Sequence, residues 1–348
     1  MKKKKAIILT FAILLISILI SATVSSFAGF MYNKKRNLTV VFYNVENLFD
    51  TENTQGARDG EFTPEGEKKW TKERYLKKLE DISKVLSSVN KNELPEIIGL
   101  CEIENRKVLD DLVATKLLSE GNYKIEQFES PDYRGIDCAL IYRPNEFEVL
   151  GSAPIKVNFA DDIEYSTRDI LYVKGLTNNN EEFHIFVNHW PSRIGGLEKT
   201  EPKRLAVAHI VKNKIDSVLN QNGKANILVL GDMNDEPSNK SLDKVLFAKQ
   251  PIDKNTELVN LMYPDHLNKI GSYNYRGNWN MLDNIVVSEG LLDNKGFKCK
   301  EKKGHVFSES WMEYRNQNGE VSPNRTYGGP NYYGGVSDHF PVYFQLSR

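Results

Sequence analysis

The sequence predicts an α/β sandwich, in which β-sheets pack against one another and helices cover the outside. Short runs rich in Val, Ile, Leu, Phe and Tyr recur along the chain and are often bounded by Gly, Pro or Asn, which is typical of strands. Longer segments with helical periodicity alternate with some of these runs. The 348 residues are 40% hydrophobic and 27% charged, an ordinary composition for a globular protein.

The predicted elements follow one another from residue 38 to the end of the chain. We predict strands at residues 38–45, 96–101, 123–128, 136–142, 169–175, 183–188, 226–231, 283–288 and 341–346. We predict helices at residues 71–90, 105–119 and 200–220, with Thr71 as the N-cap of the first. No repeat and no linker rich in Pro, Gly or Ser interrupts residues 37–348, so we expect a single domain there.

Residues 1–36 have the pattern of a signal peptide or an N-terminal membrane anchor with a short linker. Four lysines, Lys2 to Lys5, precede an uncharged and mostly apolar run at residues 6–24. Ser26-Phe27-Ala28 is a small-x-small cleavage site, whereas the length of the apolar run favours an uncleaved anchor. In both cases we expect export, with the domain secreted, periplasmic or held at the outer face of the cytoplasmic membrane.

Charge and cysteine content exclude some classes of protein. The formal net charge is −1, and it becomes −5 without the four lysines of residues 1–28, which carry no acidic residue. A mildly acidic domain has no overall basic face for nucleic acid, although a local basic patch or a bound cation is compatible with it. The sparse, odd set of Cys101, Cys138 and Cys299 excludes a disulfide framework. Cys101 and Cys138 lie in apolar runs, so we expect them to be buried.

Carboxylate, amide and imidazole side chains bound several of the predicted strands. They are Asn44, Glu46, Glu102, His189, Asp232, Asn234, Asp283, Asp338 and His339. Such a series predicts a polar pocket at one edge of a sheet. Burying an unpaired ion costs several kcal/mol unless a metal or a substrate compensates for it, so the series indicates a metal-assisted hydrolase.

The first three of these residues have the chemistry of a magnesium site. Asn44 and Glu46 lie on the same face of a strand end, and Glu102 ends another strand. Mg²⁺ prefers carboxylate and amide oxygens together with water. Taken singly, each residue is more often a turn-forming or exposed side chain.

The motif Asp232-x-Asn234 follows the apolar run ILVLG and has the chemistry of water activation. An aspartate there can orient and deprotonate a water molecule, while the asparagine amide donates to a phosphoryl oxygen. A helix-capping aspartate is the alternative. His339 paired with an aspartate would have a raised pKa, which suits phosphate binding or acid catalysis.

Arginines supply candidate phosphate contacts. Arg168 and Arg193 are candidate clamps, because a guanidinium matches the geometry of phosphate. Residues 302–337 form a long predicted loop that is rich in glycine in its second half and carries Arg325 and Tyr327. This loop is either a substrate lip or a plain surface excursion.

The motifs NVENLF, GLCEIEN, RGIDCALIYRP, NHWPSR, LGDMND, LDNIVVS and SDHFPVYF, in this order, resemble the endonuclease/exonuclease/phosphatase family over residues 38–346. The resemblance implies a four-layer α/β sandwich, with two packed mixed β-sheets flanked by helices. It also implies a divalent metal, Mg²⁺ first, with Mn²⁺ or Ca²⁺ as alternatives.

The resemblance also implies roles for single residues. It puts Asn44, Glu46, Glu102 and Asp338 near the metal. It makes His189 a phosphate-contacting or acid–base imidazole, Asp232 the residue that positions the attacking water with Asn234 beside it, and Asp283 the partner of His339. Arg168 resembles an arginine that precedes a substrate-side strand in deoxyribonuclease-like members.

The implied activity is in-line attack of water on a phosphodiester. We expect an exported endonuclease that acts on DNA or RNA as a monomer, with the membrane as a partner if residues 1–36 are not removed. The alternative is a phosphatase or phosphodiesterase acting on inositol phosphates or on sphingomyelin-like phospholipid head groups. A third alternative is a non-catalytic binding module, which the full set of catalytic residue types disfavours.

Overall fold

The computed structural model describes residues 37–54, 58–91, 93–253, 256–293 and 295–348. The predicted signal peptide or anchor, residues 1–36, lies outside the described residues. Asn37–Arg348 forms one compact unit. No helix in the described ranges combines the length and apolar character needed to cross a bilayer.

The strands and helices are named here in chain order. The strands of the described residues are β1 (Asn37–Leu48), β2 (Ile97–Ile103), β3 (Lys124–Gln127), β4 (Asp137–Tyr142), β5 (Phe147–Ile155), β6 (Ile170–Thr177), β7 (Glu182–His189), β8 (Asn226–Asp232), β9 (Ala248–Lys249), β10 (Leu258–Asn260), β11 (Tyr273–Tyr275), β12 (Asn278–Asn280), β13 (Asp283–Ser288), β14 (His305–Val306), β15 (Glu313–Arg315), β16 (Val321–Pro323), β17 (Tyr327–Gly328), β18 (Asn331–Tyr332) and β19 (Val342–Ser347). The α-helices are α1 (Lys72–Ser88), α2 (Arg106–Val113), α3 (Leu197–Gln221) and α4 (Tyr263–Leu267). Short 3₁₀ turns occur at Gly60–Phe62, Ser119–Gly121, Glu289–Leu291 and Ser310–Met312, and a π-helical turn at Ser241–Val245.

Two mixed sheets form the centre of the fold. The first has six strands in the order β14-β19-β1-β2-β4-β3, and the second has seven in the order β5-β6-β7-β8-β13-β10-β9. Strands β1 and β2 are parallel, as are β7 and β8, whereas β19 and β13 run antiparallel to β1 and β8. This arrangement confirms the predicted fold class.

Alternating side chains on each strand separate the layers of the sandwich. Val40 and Phe42 of the first sheet pack with Leu228 and Leu230 of the second in one apolar core. The sheets approach closely at Gly99 of β2, where an added Cβ would lie 3.3 Å from a side-chain carbon of Val187 on β7. This central core lies between the two sheets.

The outer faces of the sheets are covered by helices. Val41 and Ile98 of the first sheet pack with Leu79 and Ile82 of α1. On the second sheet, apolar residues pack in the same way against α3. Helix, sheet, sheet and helix are therefore the four layers.

Four details concern the sequence-based predictions. Thr71 caps α1 as predicted, because its side chain accepts a hydrogen bond from the backbone N–H of Arg74. Cys101, Cys138 and Cys299 are buried and unpaired. The helix predicted at 105–119 ends at Val113. The predicted loop 302–337 contains five short strands, including the hairpins β15–β16 and β17–β18.

Strand β5 escaped prediction, and its position in the sheet explains why. It is an edge strand whose residues are mostly half-buried or exposed, so it has no continuous apolar run. It also contains Gly151 and Pro154, which sequence reasoning counts against a strand, although an edge strand tolerates both.

Candidate active site

The polar residues predicted from strand ends lie along one edge shared by the two sheets. Strands β1, β2, β7 and β8 end there, while β13 begins there because it runs antiparallel to β8, with Asp283 opposite Asp232. His189 is also a register neighbour of Asp232. The chain enters β19 at the same edge after passing Asp338 and His339.

Asp232 lies at the centre of this edge and is almost fully buried. Its Oδ2 accepts a hydrogen bond from Asn44 Nδ2 at 3.1 Å, and its Oδ1 accepts one from the backbone N–H of Asn234 at 2.9 Å. Burial, and then the charge of Asp283, raise the pKa of Asp232 to about 7, against the opposing influence of His339. A carboxyl group with such a pKa exchanges protons near neutral pH.

His339 and Asp283 form a buried pair beside Asp232. The ring Nδ1 of His339 lies 2.7 Å from Asp283 Oδ2, and its Nε2 lies 3.8 Å from Asp232 Oδ2. Although burial disfavours the charged ring, the carboxylates of Asp283 and Asp232 raise the pKa of His339 well above its usual value. The site therefore holds an imidazolium here at neutral pH.

His189 lies on the other side of Asp232. Its Nε2 is 3.7 Å from Asp232 Oδ2 and 3.8 Å from Glu102 Oε1, distances that are too long for hydrogen bonds. Burial, and then the positive charge of Arg168, lower the pKa of His189 well below its usual value. Neither carboxylate accepts a hydrogen bond from the ring, so His189 is a neutral imidazole.

Four residues at this edge have a left-handed backbone. The φ angles are 50° at Glu46, 55° at Asn47, 62° at Glu102 and 49° at Asn234. Residues other than glycine rarely adopt this backbone conformation, and such strain concentrates at functional sites. One interaction that holds it is the hydrogen bond from the backbone N–H of Asn47 to Glu102 Oε2, at 2.9 Å.

Glu46 is hydrogen-bonded to the backbone through both carboxylate oxygens. Its two carboxylate oxygens accept hydrogen bonds from the backbone N–H groups of Thr326 and Tyr327, at 2.7 and 3.1 Å. Burial, and then the charge of Asp338, raise the pKa of Glu46 to about 7. The carboxylate thus anchors the segment 324–337, and a role of Glu46 as a metal ligand stays a prediction.

A buried lysine on α1 completes this anchor. Lys78 Nζ donates hydrogen bonds to the carbonyl oxygens of Glu46 and Val336, at 3.0 and 2.5 Å, and to Thr326 Oγ1 at 2.6 Å. Burial lowers the pKa of Lys78 to about 8. Lys78 is a residue that sequence reasoning missed, because it looked like one more exposed lysine on an amphipathic helix.

Asp338 is presented by the same segment. Its Oδ2 accepts a hydrogen bond from Arg325 Nη2 at 2.7 Å, and the Arg325 side chain is 42% exposed. Ser337 fixes the backbone, since its Oγ donates to the carbonyl of Asn44 at 2.7 Å and accepts from the His339 N–H at 3.1 Å. Arg325 therefore lies at the site and is accessible, as the substrate-lip prediction requires.

The two predicted phosphate clamps are engaged within the protein. Arg168 is buried and donates to the carbonyl oxygens of His189 and Trp190, at 3.2 and 2.6 Å. Arg193 donates to the carbonyl of Asn234 at 2.7 Å. Both arginines hold backbone carbonyls at the edge of the site, which corrects the expectation that they clamp phosphate.

Tyr273 is a further site residue that the sequence did not reveal. Its ring lies 4.8 Å from that of His339, centroid to centroid. Burial raises the pKa of Tyr273, and the charges of Asp338 and Asp232 add to this effect. The tyrosine therefore lies against the His339 imidazole, where an isolated bridge between the backbones of Tyr273 and His339 places it.

The donor set fits a divalent cation. Asp232, Asp283 and His339 each place a nitrogen or carboxylate oxygen within 4.8 Å of the others, and all three residues are buried. The His339 ring carries a proton on both nitrogens, so the carboxylates of this cluster are the groups that attract a cation. No described group donates a hydrogen bond to Asp283 Oδ1, which is also buried. Glu102 and Asp338 add carboxylates nearby. Oxygen-rich, acidic and partly unsatisfied sites are those that hard cations occupy.

Comparison with known proteins identifies the family. Residues 39–348 match the endonuclease/exonuclease/phosphatase family. The chain belongs to this family. Its members are metal-dependent phosphoric ester hydrolases, and the chain is accordingly a hydrolase of this kind. No curated protein matches the sequence.

Solved structures share the fold at low identity. A family member from Bacteroides thetaiotaomicron is 18% identical, with a TM-score of 0.55 over 89% of this chain and 97% of that one. A mannosyl-6-phosphatase from the same organism is 19% identical, with a TM-score of 0.54 over 89% and 100%. TDP2 of D. rerio, solved with a single-strand DNA product, is 12% identical, with a TM-score of 0.55 over 90% and 100%.

Proposed function

We propose that the protein is an exported endonuclease that hydrolyses phosphodiesters of DNA or RNA. The observation that carries this proposal is the position of Asp232 between two imidazoles of opposite charge state, the cationic His339 and the neutral His189. The carboxylate of Asp232 can therefore activate water, and the neighbouring imidazoles can stabilise negative charge. Phosphodiester hydrolysis needs both.

Each of the central residues has its own role in this proposal. Asp232, with a pKa near neutral, orients the attacking water and accepts its proton. The His339 imidazolium, held by Asp283, stabilises negative charge on a phosphoryl oxygen. Asn234 has one amide hydrogen on the carbonyl of Trp190 and a second one for the substrate. His189 contacts the phosphate as a neutral imidazole.

A divalent cation belongs to this scheme, and Mg²⁺ is proposed, with Mn²⁺ and Ca²⁺ as alternatives. Asn44, Glu102 and Asp338 are the residues that would hold it. Such a cation stabilises the charge that develops on phosphoryl oxygens. Asn44 already orients Asp232, so the cation-binding and water-orienting groups are directly connected.

Nucleic acid is proposed as the substrate because a protein of the same fold, TDP2 of D. rerio, was solved with a single-strand DNA product. Export is proposed from residues 1–36, whose basic start and apolar run are typical of exported proteins. An exported nuclease would act on extracellular DNA or RNA, and an uncleaved segment would keep it at the membrane.

A phosphatase acting on small or lipid phosphoesters is the second candidate. The similar fold of the mannosyl-6-phosphatase and the net charge of −5 without residues 1–28 favour it. Inositol phosphates and sphingomyelin-like head groups are the substrates that this alternative proposes.

The test incubates the purified protein with supercoiled plasmid, single-stranded DNA, RNA, inositol phosphates, a hexose 6-phosphate and sphingomyelin. Each reaction is run with Mg²⁺ and with excess chelator. Metal-dependent cleavage of the polynucleotides supports the proposal. Release of phosphate or head group without strand cleavage would replace it with the second candidate.

A further inference from the structure

The loop at residues 130–136, between β3 and β4, reaches the active-site edge. Asp132 shapes this loop, because its Oδ1 accepts the backbone N–H of Arg134 at 2.9 Å and its carbonyl accepts that of Gly135 at 2.9 Å. Gly135 has a φ of 70°, which glycine adopts without strain. The turn therefore has a defined conformation and presents the side chain of Arg134.

A buried ion pair ties this loop to the end of β7. Arg168 Nη1 donates to Asp132 Oδ2 at 3.0 Å, and both side chains are almost fully buried. The remaining donors of Arg168 hold the carbonyls of His189 and Trp190. The arginine that the sequence singled out as a phosphate clamp thus fixes the position of another arginine relative to His189.

The guanidinium of Arg134 lies at the site and forms no close hydrogen bond with the neighbouring carboxylates. Its Nη1 lies 3.9 Å from Glu102 Oε1 and its Nε lies 3.6 Å from Asp132 Oδ1, both longer than hydrogen bonds. The side chain is 31% exposed. Its charge also acts on His189, whose pKa it helps to lower. Arg134, Glu102 and His189 therefore form one wall of the site.

An anionic substrate requires a positively charged side chain on this wall. Arg134 is the basic side chain of this wall and lies opposite the acidic Glu102, so its guanidinium is the group there that attracts an anion. On another side of the site, Arg325 contacts the carboxylate of Asp338. Each of these half-exposed arginines thus lies beside a carboxylate that is a candidate metal ligand.

We infer that Arg134 is a substrate-binding residue that contacts non-bridging oxygens of the phosphate through its guanidinium. The ligand class is a phosphate mono- or diester, and inorganic phosphate is the simplest probe. This inference rests on the phosphoester chemistry of the proposed function and not on which phosphoester is cleaved. A guanidinium offers paired donors that match two phosphoryl oxygens, which a lysine cannot do.

The test compares Arg134→Gln and Arg134→Lys with the wild-type chain. Arg106→Gln is the matched control, since Arg106 is 56% exposed on α2 and pairs with Asp110. Calorimetry measures the Kd of inorganic phosphate for chelator-treated protein. Steady-state kinetics give KM and kcat for the phosphoester that the wild type hydrolyses, and Mn²⁺ binding is titrated separately.

We expect Arg134→Gln to raise the Kd of phosphate and the KM by about 10-fold to 100-fold, the range for a hydrogen bond to a charged group. Arg134→Lys should restore part of the loss and Arg106→Gln should change neither value. If Arg134→Gln leaves the Kd of phosphate and the KM unchanged, the inference is overturned. The same holds if the only change in this variant is its affinity for Mn²⁺. A wild type that binds no phosphate at about 10 mM overturns it as well.

The two proposals fail in different ways. If the wild type leaves polynucleotides intact but hydrolyses a small phosphoester in an Arg134-dependent manner, the nuclease proposal is wrong and the inference holds. If polynucleotides are cleaved equally well by Arg134→Gln, with the same KM, the inference is wrong and the nuclease proposal holds.

Discussion

The side-chain amide of Asn44, on the first sheet, donates a hydrogen bond to the carboxylate of Asp232, on the second sheet, over 3.1 Å. The two residues are 188 positions apart in sequence and both are buried. This contact joins the sheets at the edge where the candidate catalytic groups meet. It makes the geometry of Asp232 dependent on the packing of both halves of the sandwich.

Replacing Asn44 by alanine should therefore impair activity more than it impairs folding. We expect turnover to fall at least about 10-fold, because Asp232 loses a donor that orients it, and stability to fall by about 1–3 kcal/mol. Steady-state rates and urea unfolding measure the two effects. Asn90→Ala is the control, since Asn90 donates a comparable hydrogen bond to Thr39 at the other end of β1. Equal turnover in the two variants would contradict the role of Asn44.

Glu102 should contribute to cation binding. We expect Glu102→Gln to raise the Mg²⁺ concentration needed for half-maximal activity by about 10-fold or more, because a carboxylate is a stronger ligand than an amide for a hard cation. Activity is measured over a range of Mg²⁺ concentrations. Glu80→Gln, on the exposed face of α1, provides the control. An unchanged Mg²⁺ requirement in Glu102→Gln would remove this residue from the metal site.

Lys78 should be essential for the segment that carries Asp338. We expect Lys78→Met to lower the free energy of unfolding by about 2–5 kcal/mol, because three buried acceptors lose their donor and Glu46 loses a neighbouring cation. Lys107→Met is the control, since Lys107 forms an exposed pair with Asp111 that contributes about 1 kcal/mol or less. Chemical denaturation tests both, and similar losses in the two variants would exclude the anchoring role.

The buried carboxyl of Asp137 should make stability depend on pH. Burial raises the pKa of Asp137 to about 7 in the folded protein, from about 4 when unfolded. Between these values the folded chain binds more protons than the unfolded chain, so this group lowers stability as pH rises from about 4 to 7. Its slope approaches about 1.4 kcal/mol per pH unit, the limit for one proton.

Asp137→Asn should remove that contribution. Unfolding by urea at several pH values measures it, as the difference between wild type and variant. We expect the stability of the variant relative to wild type to increase from pH 5 to pH 7 and to level off above it. A constant difference over this range would show that Asp137 is ionised in the folded protein throughout.

The sequence was sufficient for the fold and for most of the residues at the site edge. Strand ends are visible in sequence, so Asn44, Asp232 and His339 could be placed at the rim of a sheet before their contacts were known. The roles of side chains that depend on tertiary contacts could not be read in this way. Glu46, for example, bonds to residues 280 and 281 positions away.

The arginines show the same limit. Arg168 and Arg134 are equally charged, and their sequence context does not reveal which one is buried. The pairing of Arg168 with Asp132 decides this, because it satisfies one guanidinium and leaves the other near Glu102. Lys78 is a similar case, since helical periodicity does not reveal that a lysine at the margin of an apolar face is enclosed by the segment 324–337.

The rate of Mg²⁺-dependent plasmid cleavage by Asp232→Asn tests the central claim most directly. Asp216→Asn is the control, because Asp216 is a half-exposed carboxylate on α3 that pairs with Lys212. With circular dichroism confirming that both variants are folded, we predict a loss of about 10²-fold to 10⁴-fold for Asp232→Asn and an unchanged rate for Asp216→Asn. Near-normal cleavage by folded Asp232→Asn would contradict the account, because Asp232 would then neither orient nor activate the attacking water.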